Sequence, residues 1–302
     1  MKVIEEAFKN LSAGNAIMPP IMRLDIEEHN GEVDVKTAYI KGLDSFAIKM
    51  SPGFFDNPKI GLPSTSGLMV LLNSKTGLLE SVLLDKGYLT DIRTAIAGAI
   101  AAKYLAKKNI SNVGIIGSGA QAKLQLEALM LVRQPKELRI WSRDPFKSKN
   151  YISDINKKYE IKTLISKDPQ DVTENSELVI TTTPAKTPLI KLEWLHPGLH
   201  ITAMGSDAEH KNEIDPRIIK EADLYVCDTQ SQTSILGELH HAIKAGLVKE
   251  NEKFVEIGEI INNSKEGRTN DKDVTICDLT GTGVQDTAIA RFAFKKAKDK
   301  NL

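Results

Sequence analysis

The sequence predicts an α/β protein of two domains, in which a doubly wound parallel sheet follows a smaller α+β domain. From about residue 110 short apolar strands alternate with helical segments, the βαβ texture that builds a parallel sheet covered by helices. The chain before that point is rich in strands and turns instead. Its 302 residues exceed what one core usually organises, and a hydrophobic content of 41% is enough for two. The expected division is residues 1–109 and 110–283, with a last helix, 284–302, packing back on the first domain.

Taken in order, the chain opens with a helix at 3–11. Strands at 33–40 and 46–50 flank the turn Gly42-Leu43-Asp44, and a hairpin at 68–72 and 78–84 surrounds Asn73 to Gly77. An alanine-rich helix at 88–107 joins the domains. A strand ending at Ile116 then enters Gly117-Ser118-Gly119-Ala120-Gln121-Ala122, followed by a helix. Further strands are expected at 138–142, 178–182 and 200–204, with Asp144 capping the helix between the first two.

The glycine turn carries the first chemical signal. Gly117 permits the tight turn, Gly119 removes a side chain that would block phosphates, and Ala122 lets the helix pack closely on the strand. The N–H groups at the helix start, from Ala120 and Gln121, face an anion. Strand and helix flank the motif correctly, so the second domain reads as a Rossmann-type binder of NAD(H) or NADP(H). At the end of the next strand Ser142 and Arg143 suit a 2′-phosphate, while Asp144 suits ribose hydroxyls.

Forty basic residues balance forty acidic ones, which gives no field favouring nucleic acid or an anionic membrane; a small-molecule partner is expected. Cys227 and Cys277 lack zinc spacing, and His210, His240 and His241 read as surface groups, so no metal is expected. The N-terminus is charged and no run reaches membrane-spanning length, which points to a cytoplasmic protein.

Three further stretches carry a family resemblance: Tyr88 to Ala95 (YLTDIRTA), Gly205 to Glu213 (GSDAEHKNE) and Gly281 to Asp286 (GTGVQD). With the glycine turn, in this order and spacing, the chain resembles the ornithine cyclodeaminase and mu-crystallin family, nearest to bacterial cyclodeaminase or ectoine-utilisation types. The resemblance implies a homodimer built on a substrate-binding and dimerisation domain, and hydride exchange between nicotinamide and the α-carbon of an amino or imino acid. It places Arg23, Lys49 and Arg93 at the substrate carboxylate and Asp207 as the acid/base, with Lys49 also in the catalytic group. It puts Ser64 and Lys211 beside the substrate, Thr183, Val284 and Arg93 at the cofactor, and Glu238 in packing between domains or in capping. Relative to that family the chain starts roughly 20 to 25 residues late, without a segment that usually adds an edge strand.

The chemistry asks independently for such groups. A carboxylate is best held by a fork of cationic donors, and a carboxyl near the α-nitrogen can steer the proton of an imine or amine. Lys36 is the informative departure. It aligns where ornithine cyclodeaminases keep a glutamate near the distal amine, and a lysine would repel that amine. The expected function is therefore an NAD(P)-dependent imino-acid reductase or amino-acid dehydrogenase, with iminosuccinate and L-aspartate as the candidate pair. Alternatives are a cyclodeaminase acting on ornithine or a related diamino acid, a ketimine reductase, and a mu-crystallin-like binding protein.

Overall fold

A computed structural model describes residues 1–300, which divide into two compact units. The first comprises residues 1–93 together with those from Gly281 onward, the second residues 94–280.

The first unit is built on an antiparallel sheet of β1 (Ala16–Ile17), β2 (Met22–Ile26), β3 (Gly31–Ile40), β4 (Ser45–Phe54), β5 (Leu68–Asn73) and β6 (Leu79–Leu83). The order is β1-β3-β4-β5-β6, with β2 also paired to β3. Strand alternation buries Lys36, Ala38 and Ile40 of β3 and Ser45, Ala47 and Lys49 of β4. The C-terminal helix Gly283–Asp299 covers this face: Thr287 Oγ1 donates to the Ala38 carbonyl at 2.7 Å and accepts from the Ala47 N–H at 3.0 Å. Val284 packs with Ala7, Ala38 and Ile40, which brings in helix α1 (Lys2–Ser12). The strand expected at 46–50 continues to Phe54. β2 escapes sequence reading because it is short, carries Arg23 and Asp25 and exposes most of its residues.

The second unit holds a wholly parallel sheet of β7 (Asn112–Ile116), β8 (Glu137–Trp141), β9 (Lys162–Ile165), β10 (Leu178–Thr181), β11 (His200–Ala203), β12 (Leu224–Cys227), β13 (Val255–Glu256) and β14 (Thr275–Asp278). The order is β13-β12-β14-β11-β10-β7-β8-β9, so the chain leaves β7 toward β8 and later returns to its other side at β10. That reversal makes the carboxyl end of β7 a topological switch point, where such sheets bind ligands. The unit boundary falls inside helix α2 (Tyr88–Leu105), at Arg93. The physical reason is burial: Ala102 and Ala106 belong to the same apolar cluster as Ile115, Leu126 and Ile140.

Candidate active site

In the second unit the glycine turn has the shape its sequence implies. Gly117 has φ of +122°, and a Cβ there would lie 2.5 Å from Thr182 Oγ1. Gly119 is extended, caps helix α3 (Ala120–Leu129) without a side-chain hydrogen bond, and a Cβ on it would meet nothing within 4 Å. The first turn of α3 thus has N–H groups without a side-chain cap, over a space the protein leaves open. A dinucleotide pyrophosphate fits this turn.

At the end of β8, Ser142 and Asp144 are committed locally. Ser142 Oγ donates to the Asp144 carbonyl at 2.9 Å and shares a hydrogen bond with Ser148 Oγ at 2.7 Å. Asp144 caps helix α4 (Pro145–Lys158) by accepting from the Phe146 N–H at 2.9 Å. Arg143 is exposed between them.

Asp207 follows the carboxyl end of β11, and Lys211 reaches back one turn to donate to its Oδ1 at 2.6 Å. The Asp207 side chain is 44% exposed and that of Lys211 11%. Lys211 therefore acts directly on the acid/base candidate. Thr183 lies just past β10, where its N–H and hydroxyl both donate to Glu213, at 2.6 and 2.7 Å.

The first unit assembles a cationic cluster. In the β3–β4 ladder Lys36 stands directly opposite Lys49. Lys36 Nζ donates to the Gly281 carbonyl at 3.0 Å. Arg93 Nε donates to Asp286 Oδ1 at 2.9 Å, and Lys49 Nζ lies 3.7 Å from Asp286 Oδ2. Lys36, Lys49, Arg93 and Asp286 are all buried. Burial lowers the Lys49 pKa to about 7; Asp286 opposes that shift, while Arg93 and Lys36 add to it. Lys49 and Arg93 thus share the Asp286 carboxylate, and Lys36 stands beside Lys49 in the ladder.

Arg23 lies on the short strand β2. It is held by Glu32, by Asp25 at 2.9 Å and by Asp34 at 3.6 Å, so its guanidinium is already surrounded by carboxylates. Ser64 lies beside the far end of β4, where its carbonyl accepts from the Phe54 N–H at 2.7 Å. Val284 is fully buried in the first unit's core. The Glu238 carboxylate is bound inside the second unit, by Asn212 Nδ2 at 2.6 Å and the Glu213 N–H at 2.9 Å.

Two buried carboxylates, Asp286 and Glu213, have no role in the sequence reading although both lie in the stretches that carry the resemblance. The usable signal for Asp286 was its place in the first turn of a helix that follows a glycine-rich loop. For Glu213 there was none, because its partners lie on two other loops.

The ornithine cyclodeaminase/mu-crystallin family model matches residues 1–301. "Uncharacterized cyclodeaminase y4tK" of Sinorhizobium fredii is 55% identical over 302 residues, covering 100% of this chain and 91% of that protein. Among solved structures, an archaeal alanine dehydrogenase dimer with bound NAD is 34% identical, with a TM-score of 0.91, over 100% of this chain and 91% of that one. The iminosuccinate reductase of Paracoccus denitrificans in complex with NAD+ is 27% identical, with a TM-score of 0.87, over 99% of this chain and 91% of that one. With its whole length matched and its glycine turn and parallel sheet in place, the chain belongs to the ornithine cyclodeaminase/mu-crystallin family.

Proposed function

We propose that this protein is an NAD(P)-dependent oxidoreductase that reduces an α-imino acid lacking a distal amine to the L-amino acid, and in reverse oxidises that amino acid. The single observation behind this reading is Lys36, buried on the same face as Lys49 and directly opposite it. A diamino acid would bring a second cation to a cluster that already holds three. A substrate with an α-carboxylate and an anionic distal end relieves that repulsion. Iminosuccinate, yielding L-aspartate, is the candidate substrate.

The cofactor supplies or accepts the hydride. Arg93 offers a planar fork for the α-carboxylate, and Asp286 fixes its orientation through Nε. Lys49 receives a carboxylate oxygen when protonated, and with a pKa of about 7 it can also exchange a proton near neutrality. Asp207, hydrogen-bonded by Lys211, carries the proton to or from the substrate nitrogen. The exposed Arg143, with Asp144 spent on its helix, favours NADP(H) over NAD(H).

A second reading, in which the substrate is the imine of pyruvate, is favoured by the likeness to an alanine dehydrogenase. Comparing Lys36→Met with the unaltered protein separates the two. If the distal group is anionic, kcat/KM with oxaloacetate and ammonium falls by at least about tenfold relative to pyruvate and ammonium. An unchanged ratio would remove the distal carboxylate from the account.

The homodimer is part of the same proposal. The first unit exposes Met22 and Leu24 on β2 and Leu79, Val82 and Leu84 on and beside the edge strand β6, an unusual apolar content for strands left open to water. Light scattering on the purified protein should give twice the chain mass.

A further inference from the structure

We propose that Glu213 is a positioning residue for Asp207, holding the loop that carries it in register with the loop that carries Thr183. The inference rests on the reading of Asp207 as acid/base.

The Glu213 carboxylate is wholly buried and collects four hydrogen bonds. Thr181 Oγ1 and the Gly205 N–H donate to Oε2 at 2.6 and 2.7 Å, and the Thr183 N–H and hydroxyl donate to Oε1 at 2.6 and 2.7 Å. Each oxygen thus receives one backbone N–H, one from the loop after β10 and one from the loop after β11. Burying a carboxylate is costly, and the cost is tolerated only where donors surround it.

A strand staple would be the simpler role, but the two strands need none. Their ladder already runs from Leu178 opposite His200 to Thr181 opposite Ala203, and the Met204 N–H still bonds to the Thr181 carbonyl. Glu213 acts beyond that point, where the backbones would otherwise diverge. Gly205 belongs to the same device: a Cβ there would lie 2.2 Å from the Thr183 carbonyl oxygen and 2.5 Å from the Glu213 carboxylate. Two residues later comes Asp207.

Glu213 is itself anchored. Its N–H donates to Glu238 Oε1 at 2.9 Å, and its carbonyl accepts from Leu189 and Ile190 at 2.7 and 3.1 Å. Ser206 Oγ closes the turn on the Lys211 carbonyl at 2.5 Å. The consequence is a rigid turn in which the Asp207 carboxyl has a fixed address, as acid/base chemistry requires.

The test is Glu213→Gln, which keeps shape but turns an amide N–H toward one of two backbone N–H groups. Thr181→Val serves as a milder second variant, losing one donor to Oε2. Hydrogen exchange measured by mass spectrometry should quicken over residues 204–208 in both, and unchanged exchange there would overturn the inference. At saturating cofactor, with oxaloacetate and ammonium, Glu213→Gln should lower kcat by at least about tenfold, yet cost less than about twofold in an Asp207→Asn background. Equal losses in both backgrounds would make Glu213 merely structural and leave the Asp207 assignment standing. Full activity in Asp207→Asn alone would discard the acid/base assignment and this inference with it.

Discussion

Lys36 and Lys49 face one another across the β3–β4 ladder, both buried. Like charges directly opposite in a sheet are destabilising, and buried cations cost more than apolar residues of similar size. The anionic substrate proposed above would offset that cost. Lys36→Met should leave stability unchanged or raise it by about 1 to 4 kcal/mol in urea unfolding, while weakening substrate. Destabilisation beyond about 1 kcal/mol would mean that Lys36 holds the fold together instead.

Lys49 links the site to pH. Its pKa of about 7 lies below the ordinary lysine value of 10.5, so between those values the unfolded chain carries the extra proton. Stability should rise with pH from about 7 toward 10, and below pH 7 the cost of burying the charge is present in full. Substrate binding should move the other way, because only the protonated amine receives a carboxylate. KM for the acid substrate should climb above neutrality in the unaltered protein, and this limb should vanish in Lys49→Met.

Asp286 is the carboxylate that makes the cationic cluster tolerable. Asp286→Asn removes the charge from beside Arg93 and Lys49 while keeping the side chain's shape. Breaking a buried ion pair in this way typically costs about 3 to 5 kcal/mol. The loss should be recovered in part by an added carboxylate ligand. Chemical unfolding with and without L-aspartate checks both statements.

The glycine turn allows a sharp separation of folding from binding. A Cβ at Gly119 meets nothing in the protein and its φ is ordinary, so Gly119→Ala should melt with the unaltered protein but bind NADH or NADPH at least about tenfold more weakly. Gly117→Ala should lose roughly 1 to 3 kcal/mol of stability, since φ is +122° and Thr182 lies in the way. Melting curves and fluorescence titration of the reduced cofactor measure the two effects.

Much of this architecture is legible in the sequence. The strand at Val113 to Ile116, the glycine turn and the cap at Asp144 are local features set by residues a few positions apart, and periodicity reads them directly. Whether Lys36 turns inward is not legible in the sequence, because a register slip of one residue reverses every side chain of β3, and only the fold shows it buried opposite Lys49. Other features depend on distant partners. Arg23 meets Glu32 and Asp34 only through the pairing of β2 with β3. Asp286 meets Arg93 across 193 residues of chain, and Glu213 meets Thr181 across 32. No spacing rule reaches that far, so such contacts follow only from the fold.

Net reduction of an imino acid is followed as the fall in absorbance at 340 nm. NADH or NADPH is supplied with ammonium and oxaloacetate, pyruvate or glyoxylate, and in parallel NAD+ is supplied with ornithine or diaminobutyrate while ammonia is assayed. Reduced cofactor should be lost on net, fastest with oxaloacetate and not at all without ammonium. Ammonia released from a diamino acid with no net change in cofactor would contradict net imine reduction, because the buried Lys36 would then be accommodating the amine it is expected to repel.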